Sequence, residues 1–535
     1  MSGIVALGVS LGIANAATDE VLARTDGDLI GRLHFAGTAR LAADPYAAKL
    51  NEIGALPPTA ELREKTLQKL ATTPFRLFQQ KLANGNTNDY SRLIHPLLDD
   101  LLREESYMEM RGPSNAVPEL MLAVHLSNDR AKAWHDNLAM VLASWTGIPV
   151  KEIKGDGFTG WELRKHHDPN VIRCLRAGDW VLFGWGENEL RLQPGFLQRI
   201  KETKRPVETF KGDWLDAMMD WPTFMKYHPF TLPAPLPAKL PKMHLTVQTE
   251  KNYLRPKLTM QFPEPLGLKL EPWSIPTKLI QNSPSSFTAV RGIGPWLSQF
   301  DIVRKCQPSS VPNQLTIWSM AKVPFETCVA APVSGATNYL AQIAPRLVPV
   351  LNSTLTNRAI ASEVIWTNNQ LYVVNMPFIG PYLRPIREPA GDFLLGGLFP
   401  TVKRTNSAPF PPALLHEIQS KPNLVYYGWE NNEERLPQWG SLSQIYLITS
   451  AMQLPPAEAA GFKWLQAAKS KLGNCFTEVT LTAPDELTLV RNAPIGLTGL
   501  EMTALEYWVD SPEFPLHARY PRGLMSRALK PTGSR

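Results

Sequence analysis

Short runs of alternating or continuous apolar residues, punctuated by polar turn residues, dominate this chain. Residues 28–35, DLIGRLHF, predict a strand, and a short helix follows by residue 43. Leu62, Leu67, Leu70 and the stretch Phe75 to Leu77 recur at loosely helical spacing and predict a helix over 59–82. Thr59 is placed to cap it, Pro74 to kink or split it, and Asn84-Gly85-Asn86 to close it. A second amphipathic helix over 90–103 carries Leu93, Ile94, Leu97, Leu98, Leu101 and Leu102 on one face. Strands at 106–112 and 119–126 lead to a helix capped by Ser127 or Asn128, with Ala131, Trp134, Leu138, Val141, Leu142 and Trp145 along one stripe. A meander of strands at 161–165, 171–176 and 180–185 turns at His166 to Asn170 and at Ala177-Gly178-Asp179. A short helix at 196–203, a mixed stretch at 214–226, a proline-rich loop at 229–241 and a hairpin of 243–249 with 255–262 follow.

The same order returns. Residues 287–291 predict a strand, 292–297 a helical turn, and 314–321 and 325–333 two more strands; Ser334 then caps a helix with Ala336, Leu340, Ile343 and Leu347. Strands at 363–366, 371–376, 382–387 and 393–398 rebuild the meander, again with an Ala-Gly-Asp turn, at Ala390-Gly391-Asp392. A short helix at 413–419, a strand at 424–429, a helix at 455–471 without a counterpart, and a hairpin of 476–482 with 486–490 complete the series. The two series are offset by about 210 residues, which predicts an internal duplication of a unit of roughly 230 residues with a boundary near 275–284. The fold class expected is α+β, each unit an antiparallel sheet with packed helices. The domains read as a signal peptide at 1–16, a first repeat at 19–275, a second at 285–510 and a basic tail at 511–535.

Length and composition fit this picture. A chain of 535 residues is long for one core. Its 48 prolines, about twice ordinary usage, favour short elements joined by stiff turns. A net charge of +6 spread along the chain gives no support to nucleic-acid binding. The four cysteines form no C-x-x-C pair, and they read as small buried hydrophobes, with Cys306 and Cys328 able to pair in an oxidising compartment. The uncharged apolar run 4–13 before Ala14-Asn15-Ala16 fits a cleavable signal, although its n-region lacks Lys and Arg. No later run is long enough to span a membrane. The expectation is an exported protein, periplasmic or associated with the cell envelope, whose basic tail touches an anionic envelope component or simply keeps the chain soluble.

Most chemical motifs fail on context. Gly8-Val9-Ser10-Leu11-Gly12 resembles a nucleophile elbow but lies in the expected signal peptide. Gly155 to Gly160 matches G-x-G-x-x-G, but a strand follows where a helix is needed, so a loop is expected. His166 and His167 with Asp168 form a partial metal set, yet neighbouring residues on a strand point to opposite faces. Tyr427 and Trp429 beside an acidic loop, Glu430 to Glu434, suit carbohydrate or cation contact, with Glu430 and Glu433 as the acids; a solvated turn beside core aromatics is the blander account. Trp134, Trp145, Trp180 and Trp366 fall at core positions.

Three stretches carry a resemblance. Pro272 to Thr277 with Ser286 to Ala289, Gly396 to Pro400 with Asn423 to Glu430, and Lys471 to Cys475 running on to Thr482 resemble a family of exported proteins from bacteria of the verrucomicrobial and planctomycete kind. That family carries a duplicated domain of unknown function. The resemblance covers most of the mature chain, implies no activity and transfers no catalytic residue. The sequence therefore favours a non-catalytic binding or scaffold protein with no assigned cofactor, metal or catalytic residue. Two alternatives stay open. One is an envelope glycan or ester hydrolase, with Glu430, Glu433 and Asp392 first to test. The other is a carrier of lipid or another hydrophobic ligand, which an apolar cavity would favour.

Overall fold

The computed structural model describes residues 28–78, 90–112, 117–187, 189–207, 213–227, 240–280, 284–320, 326–357, 360–376, 379–399, 410–449, 456, 458–512 and 514–515. The expected signal peptide, Asn84 to Asn86, nearly all of the proline-rich loop and nearly all of the basic tail lie outside these residues.

In chain order the first half holds β1 (Asp28–Phe35), α1 (Thr38–Ala42), α2 (Ala48–Gly54), α3 (Pro57–Phe78), α4 (Ser91–Arg103), β2 (Ser106–Gly112), β3 (Glu119–His125) and α5 (Asn128–Thr146). It continues with β4 (Lys151–Gly155), β5 (Phe158–Arg164), β6 (Asn170–Ala177), β7 (Trp180–Glu187), α6 (Leu192–Thr203), β8 (Leu215–Asp220), α7 (Trp221–Tyr227), β9 (Lys242–Glu250) and β10 (Tyr253–Gln261). The second half holds β11 (Pro284–Arg291), α8 (Gly294–Leu297), α9 (Asp301–Cys306), β12 (Gln314–Met320), β13 (Thr327–Pro332), α10 (Ala336–Asn357), β14 (Glu363–Thr367), β15 (Gln370–Val374), β16 (Tyr382–Glu388) and β17 (Gly391–Gly397). It ends with α11 (Pro412–Gln419), β18 (Leu424–Asn431), α12 (Asn432–Thr449), α13 (Ala460–Ala468), β19 (Asn474–Ala483), β20 (Glu486–Asn492) and α14 (Gly499–Asp510).

Every strand pairing among the described residues is antiparallel, and together the pairings make one sheet. From one edge the order is β4-β5-β6-β7-β3-β2-β1-β8-β9-β10. It continues β20-β19-β18-β11-β12-β13-β17-β16-β15-β14. Read inward from either edge, each strand of one half faces a strand numbered ten away in the other. The halves join where β10 pairs β20, from Lys257 opposite Val490 to Gln261 opposite Glu486. The fold class is α+β.

Side-chain alternation along the strands builds two layers per half. In β7, Leu182 packs with Leu175, Ala123 and Phe196 of α6, while its neighbour Val181 packs with Cys174, Val124 and Trp134 of α5. In β17, Leu395 joins Phe393, Ala330 and Ile418 of α11, while Leu394 joins Ala331, Leu340 and Ile343 of α10. Each half thus sandwiches its sheet between helices.

The Ala-Gly-Asp turns occupy matching corners. Gly178 and Gly391 have φ of +58° and +129°; the first is a left-handed value that glycine adopts at no cost, and the second is one that glycine alone tolerates. Leu126 N donates to Asp179 O at 2.8 Å, and Val333 N donates to Asp392 O at 2.9 Å. The hairpin turns at Lys251-Asn252 and Asn368-Asn369 hold both central residues at positive φ, as tight two-residue hairpins require.

Several elements differ from the sequence expectation. Gly155 to Gly160 is a hairpin of β4 and β5 turning at Asp156-Gly157, because Gly157, at φ +78°, makes the tight turn that lets both flanks pair. The helix expected from 59 begins at Pro57 and runs through Pro74 without a break; Thr59 Oγ1 donates to Ile53 O instead of capping it. Glu430 to Glu434 is not a loop but the end of β18 and the first turn of α12. The helices α12 and α14 were not expected at all. All four cysteines are free and buried. Trp134 and Trp180 are buried, while Trp145 and Trp366 are half-buried.

Candidate functional site

The connections that do not match between the halves are helical. The β1–β2 connection holds α1 to α4, against two short helices between β11 and β12. Between β18 and β19 lie α12 and α13, and α14 follows β20. These extra helices meet. Ile53 of α2, Leu436 of α12, Leu465 and Ala468 of α13, Leu472 between α13 and β19, and Met502 of α14 form a single buried cluster. Beside that cluster the helices leave a cavity of about 550 Å³.

Helical spacing explains its lining. Leu62, Thr66 and Leu70 follow one another at i, i+4 on α3, and Leu98, Leu101 and Leu102 at i, i+3, i+4 on α4. Trp464 of α13 and Leu505, Trp508 and Val509 of α14 close the opposite wall. The walls are almost entirely carbon. Leu102 and Leu505, at 40% and 38% exposure, put the mouth between α4 and α14. A space of this size and character lies in the range of small-molecule sites.

The walls are fastened by charge at helix ends. Asp510, the last residue of α14, accepts from Gly461 N at 3.1 Å and Phe462 N at 3.2 Å, the free amides that open α13. At Gly461 the helices approach so closely that a Cβ would lie 2.7 Å from Asp510 Oδ2. Lys69 Nζ of α3 donates to Val509 O at 2.6 Å and Ser511 O at 3.3 Å, which caps the C-terminus of α14; burial lowers its pKa against the pull of Asp510. Lys463 pairs Glu61 at 3.3 Å, and Lys471 pairs Glu52.

Two polar groups on the wall lack partners. Glu506 is 6% exposed, and its Oε1 has no hydrogen bond among the described residues; nor has Trp508 Nε1. Burial first, and Asp510 second, push the Glu506 carboxyl up to about 8, so it is largely protonated at neutral pH.

The residues singled out from sequence do not line this cavity. Tyr427 is buried, and its hydroxyl donates to Glu417 Oε2 at 3.3 Å; Trp429 packs on the same core. Glu430 Oε1 accepts from Gly499 N at 2.6 Å, so its carboxylate fixes the start of α14; burial raises its pKa. Glu433 is exposed in the first turn of α12. Asp392 Oδ2 accepts from Gly335 N at 3.1 Å, just ahead of α10. His166 and His167 are exposed in the β5–β6 turn with ring centroids 3.9 Å apart. Nine strands separate β6 from β18 in the sheet, so the histidines and Tyr427 do not share a site. Among the described residues no group of three His, Cys, Asp or Glu is arranged to hold a metal ion, and no helix is long and apolar enough to cross a membrane.

No protein-family model and no curated protein matches this chain. A solved structure described as "Structure of crystal form I of TP0453" overlaps 45% of this chain and 98% of its own, at 8% identity and a TM-score of 0.22. That score carries no argument about fold or function. The cavity therefore stands on its own geometry.

One sequence signal for the cavity was present. Thr498-x-x-Glu501 is a capping box ahead of Met502, Leu505 and Val509: Glu501 N donates to Thr498 Oγ1 at 3.2 Å and Thr498 N to Glu501 Oε2 at 2.9 Å. It marks the start of α14.

Proposed function

We propose that this protein binds a small apolar ligand of acyl or isoprenoid type, without catalysing a reaction on it. The observation that carries this reading is the cavity of about 550 Å³ whose wall is almost entirely carbon. Burying apolar surface there is worth roughly 25 cal/mol per Å², enough to hold a lipid-sized molecule by its hydrocarbon part.

The same proposal takes the chain as an internal duplication exported from the cell. The ten-and-ten strand order and the matched Ala-Gly-Asp corners support the duplication. The cavity then belongs to the helices the two units do not share, and ligand binding is a property of the pair. Export rests on the apolar run 4–13 and the small residues after it.

The test uses N-phenyl-1-naphthylamine, an uncharged fluorophore that brightens in apolar sites. The wild type should bind it saturably with one site. Leu101→Trp, which fills the space from a half-buried position, should weaken binding at least about tenfold while melting at or above the wild-type temperature. Absence of binding by the wild type, or unchanged binding by a folded Leu101→Trp, would refute the reading.

A further inference from the structure

The last turn of α4 divides two different surfaces. Leu98, Leu101 and Leu102 line the apolar cavity. The next three residues, Arg103, Glu104 and Glu105, line a second, polar cavity of about 500 Å³ with Arg40, His125 and Arg205. Leu102 and Arg103 are consecutive, so the end of α4 lends lining residues to both cavities. Both residues are exposed.

The charges in the second cavity do not cancel. Three guanidinium groups and a histidine face two carboxylates. Glu105 is already engaged: its Oε1 lies 2.7 Å from His34 Nε2 and 3.3 Å from the Arg205 guanidinium. Asp99, one turn before Arg103, takes Arg63 at 2.7 Å and leaves Arg103 at 3.8 Å. The Arg40 side chain makes no hydrogen bond or ion pair with any described residue. Two exposed guanidinium groups of the polar cavity thus have donors to spare, one of them on the residue after Leu102, in the forked geometry that suits carboxylate and phosphate oxygens.

We propose that the two cavities form one site for an anionic amphiphile, with its hydrocarbon between α3, α4 and α14 and its carboxylate or phosphate on Arg40, Arg103 and Arg205. The inference rests on the apolar-ligand reading above and adds the class of head group. It also assigns Thr38 a role. Thr38 Oγ1 donates to Leu102 O at 2.8 Å and pins the start of α1, which carries Arg40, against the end of α4.

Displacement of N-phenyl-1-naphthylamine from the full chain tests it. The competitors are palmitate, 1-hexadecanol, acetate and inorganic phosphate near neutral pH, against wild type and the double variant Arg40→Gln/Arg103→Gln. Both arginines are exposed, so the variant should fold. Palmitate should compete at least about tenfold better than 1-hexadecanol in the wild type, and the double variant should erase that advantage while leaving 1-hexadecanol unchanged. Acetate and phosphate should not displace the fluorophore. Equal competition by palmitate and 1-hexadecanol in the wild type, or a palmitate preference that survives in the variant, would overturn the proposal. A melting-temperature rise with inorganic phosphate but no palmitate preference would overturn it too, by making the polar cavity a separate site for free anions. Failure of the fluorophore to bind at all is a different result, and it would count against the apolar-ligand reading itself.

Discussion

At Glu506, burial and a neighbouring acid act in the same direction. Burial penalises the carboxylate, Asp510 repels it, and its pKa rises to about 8. In the unfolded chain the same group titrates near ~4.3. Between those values the folded protein holds a proton that the unfolded chain has released, so this residue's contribution to stability falls as pH rises from about 4.3 to about 8, and levels off above. Glu506→Gln has no proton to lose. The melting temperature of Glu506→Gln relative to wild type should therefore climb between about pH 5 and about pH 9, followed by calorimetry across that range. A difference that stays flat would show that Glu506 titrates as an ordinary surface acid. Sequence reading missed this residue because nothing in Tyr-Trp-Val-Asp around it indicates which side of a helix lies against carbon. Of the three acids it did choose, Glu430 and Asp392 accept backbone amides next to α14 and α10, and Glu433 is exposed on α12.

Among the elements, α13 and α14 form the hinge of the site's construction. The Asp510 carboxylate satisfies two amides at the start of α13, and Gly461 permits the close contact. Asp510→Ala should lower stability by about 1–2 kcal/mol in chemical denaturation, and Asp510→Asn by less, since its amide oxygen still accepts. The alanine variant should also weaken N-phenyl-1-naphthylamine binding, because α13 carries Trp464 into the wall. A wild-type denaturation midpoint for Asp510→Ala would remove the capping role. Most elements were legible from pattern alone: β1 and β2 carry the expected bounds, and α4 begins one residue later than expected. The exceptions have local causes. Pro437 and the acids at Glu433 and Glu434 disguised α12, and the capping box of α14 was passed over.

Across the whole molecule the halves hold each other through β10 with β20, through the cluster of Ile53, Leu436 and Met502, and through the end of α14 capped by Lys69. The segment after β10 crosses over: Ser274 N donates to Gln314 Oε1 and Arg291 stacks on Trp273 at 4.5 Å, so residues 272–280 pack with the second half. A chain cut at Gly267, an open position, should assemble when both pieces are expressed together. The first piece alone should aggregate, because it leaves the edge of β10 unpaired and the leucines of α3 and α4 uncovered. Size-exclusion chromatography of each piece and of the pair decides this; a soluble monomeric first piece would mean that the helices of each half close their own core.

By itself the sequence determined the α+β class, most strands, and the recurrence of one order of elements, since those depend on alternation, turn residues and local spacing. Only the tertiary structure decided that the two series share one sheet, that Arg103 and Arg205 face the same polar cavity, and that leucines from residues 62–102 meet Trp508 across an apolar cavity. Those facts depend on contacts between residues 100 to 440 positions apart, as between Glu105 and Arg205 or between Lys69 and Val509. A leucine stripe that packs a core and one that lines a cavity have the same periodicity, and the difference lies in how closely the opposite wall approaches.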